Sequence, residues 1–93
     1  MTELTQELLR SVLHYDPETG VFCWLKRIAR QVKIGQQAGS FHKNKGYRAI
    51  FLFTKRYKEH RLAWFWMTGA WPADQLDHIN GVKDDNRWGN LRA

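Results

Sequence analysis

Leu4, Leu8, Leu9, Val12 and Leu13 recur at the three-and-four spacing of one helical face. Thr2 stands where an N-cap belongs and Glu3 falls in the first turn. The spacing predicts a helix ending near His14, because Asp16, Pro17 and Gly20 in "DPETG" are turn chemistry. "VFCWLKR" then alternates with period two, placing Val21, Cys23 and Leu25 on one face and Phe22 and Trp24 on the other. "IARQVKIGQQAG" has no period and reads as a basic loop, with Arg27, Arg30 and Lys33 in or beside it. "SFHKNKGYRAIFLFTKRYKEH" predicts antiparallel strands turning at "KNKG" and "TK".

At "HRLAWFWMTG" the period changes to that of a helix. Leu62, Phe65 and Trp66 share a face, and Gly69 takes the C-cap position before Trp71 and Pro72. Leu76 to Ile79 reads as a short strand, Asn80-Gly81 as a tight turn and Asn90 to Arg92 as the start of a returning strand. The expected architecture is α+β, a small antiparallel sheet with two helices and a C-terminal hairpin. The expected single domain divides into an N-terminal helix at 1–15, a basic hairpin region at 20–60, a helix at 60–70 and a polar motif at 76–93.

Composition narrows the setting. Ninety-three residues leave room for one modest core, and an apolar share of 43% suffices to fold it. Aromatic residues make up 14%, five of them Trp, which suits both dense burial and base stacking. A net charge of +6 favours a polyanionic partner, nucleic acid first. Cys23 is the lone cysteine, so neither a disulfide nor a C-x-x-C zinc pair holds the chain. No apolar run approaches the roughly 20 residues of a membrane span, and the amino terminus is unlike a signal peptide. An intracellular protein, in the cytoplasm of a bacterial host, is the expectation.

The candidate chemistry sits in "LDHINGVKDDNRWGNLRA". Asp77 offers a hard oxygen for a divalent cation, and His78 can take a proton from water near neutral pH. Phosphodiester hydrolysis needs both kinds of group. As neighbours on a strand, their side chains point to opposite faces, though on a twisted or bulged strand end they can serve one site. By spacing alone such a string is also an ordinary polar hairpin. Asn86 and Asn90 suit a tight loop whose backbone their amides hold.

Read whole, "DHINGVKDDNRWGNLR" resembles the phage and homing-type branch of the HNH endonuclease family. "LHYDPETGVFCW", "AGSFHKNKGYRAIFL" and "YKEHRLAWFWMTGAWP" look like segments that precede the motif there. The resemblance implies Asp77 as metal ligand, His78 as general base, and Asn90 as the structural residue that ties the strands and orients the histidine. Asn86, Arg87 and Arg92 match positions that shape the loop or sit near phosphate. It also implies Mg²⁺ or a similar divalent ion where the site is active. In that family a last ligand, His or Asn, lies on a helix beyond Asn-Leu-Arg, whereas Ala93 follows Arg92 directly here.

The resulting expectation is a truncated, catalytically incomplete hairpin in a phage-derived protein. It would bind DNA or inhibit a nucleic-acid-processing enzyme, as in counter-defence against a host nuclease system. The alternative is an active nicking endonuclease whose missing ligand comes from a longer chain or a partner. A homodimer through the uncovered hairpin is a further expectation.

Lys43, Lys45, Arg48, Lys55, Arg56 and Lys58 are the candidate phosphate contacts, interleaved with Tyr47, Phe51, Phe53 and Tyr57. On alternating strands the cations are expected on one face and the rings in the core. The same lysines would also serve as solvated guards of a sheet edge. His60 at a helix start could approach the site but reads rather as held by local hydrogen bonds, His42 in a turn reads as solvated and His14 at a helix end as structural. Cys23 reads as a small strand hydrophobe. Of Trp64, Trp66 and Trp71, one is expected in the core and one partly exposed.

Overall fold

The computed structural model describes residues 3–93. The first helix, α1, spans Gln6–Val12 and is capped by Thr5, whose Oγ1 accepts from the Leu8 amide at 3.1 Å. Thr2, the cap expected from sequence, lies outside the described residues. The helix stops short of His14 because Leu13 begins strand β1, Leu13–Asp16, which pairs with β2, Val21–Trp24. Pairing outweighs helix continuation here: Leu13 and Tyr15 are buried on the inner face while His14 points out. Phe22 and Trp24 are buried opposite them, as the alternation foretold.

The 25–39 segment is more than a basic loop. The Trp24 amide donates to the Gln36 carbonyl and the Ala38 amide to the Phe22 carbonyl, so its end runs alongside β2. Val32 and Ala38 are buried in the core. Three antiparallel strands follow: β3 (Ser40–His42), β4 (Tyr47–Leu52) and β5 (Lys55–Lys58), in that spatial order. The β4–β5 turn is Phe53-Thr54, one residue earlier than "TK", because the register pairs Leu52 with Lys55.

Helix α2, Glu59–Thr68, ends at Gly69, whose left-handed φ of 81° lets its amide reach the Phe65 carbonyl at 2.9 Å. Leu62, Ala63 and Phe65 are buried against Leu9, Ile50 and Leu52. Trp66 is half-buried, its Nε1 donating to the Leu13 carbonyl while Arg10 stacks over its ring at 4.5 Å. Trp64, half-buried too, meets Trp88, and the more exposed Trp71 stacks on Phe65 at 4.2 Å. None of the three is a core residue; they cover the core from outside.

The chain closes with β6 (Asp77–His78) and β7 (Leu91–Arg92), paired antiparallel. Asn90 does not open the returning strand. It ends a 3₁₀ turn, Trp88–Asn90, that delivers the chain to β7. The α+β architecture with two helices and small antiparallel sheets holds.

Two fastenings tie distant elements together, the first of them at the C-terminal hairpin. Gly20 (φ 77°) lies so close to the 86–87 backbone that an added Cβ would sit 2.4 Å from the Asn86 carbonyl carbon. Beside it the Tyr15 hydroxyl donates to the Asn86 carbonyl, and the Trp88 amide donates to the Pro17 carbonyl at 2.9 Å. The second fastening is ionic. Glu59, fully buried at the start of α2, accepts from Arg48 Nε at 2.9 Å, and Arg48 Nη2 donates to the Ala38 carbonyl. Burial pushes the Glu59 carboxyl up to about 7 although Arg48 pulls the other way.

Candidate functional site

The β6–β7 hairpin is built around its two buried asparagines. Asn90 Oδ1 accepts from the Asn80 amide at 3.0 Å, and its Nδ2 donates to Asn80 Oδ1 and to the Asp85 carbonyl. Asn80 Oδ1 also accepts from the Val82 amide, closing an Asx turn over Gly81. Asn90 thus holds the 80–85 loop. The amide that meets the imidazole is Asn86: its Oδ1 lies 2.9 Å from His78 Nε2. Asn86, rather than Asn90, makes the contact with the His78 ring, and the Asn90 side chain bonds the 80–85 loop. Directly after a carboxylate already bonded to Asn80, Asn86 is held at its backbone carbonyl by the Tyr15 hydroxyl, a contact that no local pattern announces.

His78 is 7% exposed. With Asn86 Oδ1 as acceptor, Nε2 carries the proton and Nδ1 keeps the lone pair that a general base requires. Its ring lies 4.9 Å from that of His60, whose Nδ1 is buried without a hydrogen-bond partner. Burial, then His78, Lys58 and Arg61 in turn, pulls the His60 imidazole down to about 4. His60 is therefore a neutral wall of the site rather than a helix-start histidine held by local hydrogen bonds.

Asp77, the neighbour of His78 on β6, is exposed and stands at the rim of the cleft that His78 also lines. Arg92, its cross-strand partner, donates to Asp77 Oδ2 at 2.7 Å and holds the carboxyl below its ordinary range. Among the described residues no group of three or more His, Cys, Asp or Glu is arranged to hold a metal ion. A single exposed carboxylate already engaged by a guanidinium does not fit a divalent cation gripped by this chain's own side chains.

A cleft of about 480 Å³ opens beside the two histidines. Lys45 comes from the β3–β4 turn, Lys58 from the end of β5, Arg61 from α2 and Lys83 from the hairpin loop, so four cations from four places converge on it. Lys83 packs against the β3–β4 turn, within 3.5 Å of where a Cβ on Gly46 would lie. Lys58 Nζ sits 5.1 Å from the Tyr47 ring centroid. Periodicity could not single out Arg61 or Lys83. A different signal marks the region: from residue 19 to residue 58 there is no Asp or Glu, yet ten of the fifteen Lys and Arg fall there.

The other expected phosphate contacts scatter. Arg48 is committed to Glu59 and Ala38, and Arg87 makes a two-pronged pair with Asp85 at 2.7 and 2.8 Å. The Arg87 bond, first among several contacts, holds the Asp85 carboxyl down at about 2. The β4–β5 register places Arg56 and Lys58 on one sheet face and Lys55 on the other, so the cations do not share a face. Nor do the rings all fill the core: Phe51 and Phe53 are exposed. Lys43 is exposed on the β3–β4 turn, outside the cleft lining.

A family model described as HNH endonuclease matches residues 57–93. No curated protein and no solved structure matches the chain.

Proposed function

We propose, from the match of residues 57–93 to a family model described as HNH endonuclease, that the chain is nuclease-related and binds nucleic acid without cutting it unaided. The observation that carries the reading is the four-cation cleft beside His60 and His78. Lysine and arginine from separate elements, converging where no carboxylate but Asp77 intrudes, suit a phosphodiester backbone. The Asp77–Arg92 pair supports the inert half of the proposal, since the carboxylate that would take a cation is already neutralised. Capture of a nucleic-acid-processing enzyme on the same face, the counter-defence role of a phage relative, is a form of this proposal.

One observation favours the active alternative. His78 has the geometry of a general base, with Asn86 fixing Nε2 and Nδ1 left for a water proton. Were a companion to hold a divalent ion at Asp77, that ion would stabilise the leaving oxygen.

Supercoiled plasmid with Mg²⁺ or Mn²⁺, beside a His78→Ala control, separates the two. The expected result is no nicking, together with retention of DNA that weakens steeply with salt. Neutralising four phosphate contacts gives a log–log slope of about −3.6 on duplex. Nicking abolished by His78→Ala overturns the inert reading. Retention that ignores salt and DNA competitor assigns the face to a protein partner.

A further inference from the structure

A second groove of about 380 Å³ runs between the 25–39 loop and the sheet, both inside the acid-free stretch. Phe51 and Phe53 line it and are 60% and 47% exposed. Phe53 carries a φ of 60° at the first position of the two-residue β4–β5 turn, where glycine is the unstrained choice. Neither burial nor backbone comfort accounts for a phenyl ring at that tip. Strand alternation sets Tyr47, Ala49 and Phe51 on one face of β4, with Lys58 across from Ala49 and Arg56 across from Phe51. Tyr47 and Lys58 line the cleft described above, and Ala49 and Phe51 line the groove. One sheet face therefore joins the two, their ring positions about 13 Å apart along the strand.

We infer that this face is a stacking platform for unpaired nucleobases. A strand whose phosphates lie in the cleft would run along β4 and lay bases on Phe51 and Phe53 a few nucleotides away. The inference rests on the nucleic-acid reading above and adds the state of the ligand: single-stranded or locally opened. A closed duplex hides base faces and shows only edges, which a phenyl ring cannot read. The side-chain amides of Gln31, Gln36 and Gln37 on the groove wall can meet the edges of a base so stacked. A second copy of the chain is the poorer occupant, because it would bring one acid-free cationic surface against another.

The test uses the full chain and fluorescence anisotropy with two labelled strands of about a dozen nucleotides. One is oligothymidine and the other has the same backbone without bases. The expected preference for the base-bearing strand is about tenfold, the weight of roughly one stacked base. Phe51→Ser and Phe53→Gly should each shrink that ratio, with affinity for the abasic strand unchanged. Phe53→Gly relieves the left-handed strain, so its melting temperature should hold or rise and misfolding is excluded. Equal affinity for both strands, or a ratio that neither substitution moves, overturns the stacking platform and leaves the phosphate cleft standing. Failure to bind either strand overturns the nucleic-acid reading and this inference with it. A dimer dispersed by Phe51→Ser at an unchanged ratio assigns the rings to a second copy and overturns it as well.

Discussion

Tyr15 in the first strand and Asn86 in the last loop are joined by a buried hydrogen bond across 71 positions of sequence. The hydroxyl donates to the Asn86 carbonyl, and the side chain of the same asparagine meets His78. Burial, followed by Asp16 and Asp85, pushes the Tyr15 hydroxyl further up, so it remains a donor throughout the range where the protein is folded. Tyr15→Phe leaves that carbonyl without its partner at an expected cost of about 1–3 kcal/mol. The melting temperature should fall by about 4–8 °C per kcal/mol, and the His78 ring resonances should move although the substitution lies outside residues 57–93. Unchanged resonances would mean that Asn86 is placed by something else.

Glycine at position 20 has a measurable counterpart at 81. Both have left-handed φ, 77° and 76°, but a methyl at Gly20 meets the Asn86–Arg87 backbone while one at Gly81 meets open space. Gly81→Ala should cost about 1–2 kcal/mol, the conformational penalty alone. Gly20→Ala should cost clearly more and weaken nucleic-acid retention as the loop is displaced. Equal losses in urea unfolding would deny the close approach its importance.

The pH dependence of stability contains two opposed contributions. Glu59 sits at about 7 when folded against an ordinary 4.5, so its contribution is full below 4.5 and lost as pH rises through 7. His60 sits at about 4 against 6.5, so its contribution is full above 6.5 and lost as pH falls through 4. Between 4.5 and 6.5 they pull in opposite directions and should leave a shallow profile. His60→Phe should unmask a decline in stability toward neutrality, and Glu59→Gln a decline toward acid. A melting temperature of His60→Phe that climbs from pH 5 to 7 would contradict the assignment.

Cations differ in what they are free to do. Lys58→Gln, Arg61→Gln and Lys83→Gln should each lower the salt slope of DNA binding by about 0.9. Arg87→Gln should leave it nearly unchanged, because Asp85 already takes that guanidinium in a fork. A slope change for Arg87 equal to that for Lys83 would place phosphate on the outer side of the loop.

Much of this was legible where local chemistry decides. Gly69 announced the end of α2, alternation set Phe22 and Trp24 on a shared face, and the Asp77-His78 string announced the hairpin. What pattern missed was decided by distant partners. Leu13 leaves its helix because Trp24 waits opposite it. Arg48 abandons the cationic surface because Glu59 is buried beneath it. Asn86, not Asn90, reaches His78 because Tyr15 and Gly20 lie under the loop. Phe51 and Phe53 looked like core because their strand alternates, yet the register turns Phe51 outward and the turn carries Phe53 with it.

The clasp between the first hairpin and the last loop has an engineering corollary. The portion that matches the family model borrows its footing from Tyr15, Pro17 and Gly20, all upstream of it. Transplanted alone onto another scaffold, it should arrive with its imidazole adrift. A useful graft must carry the opening hairpin along, as a splint carries the bone it sets.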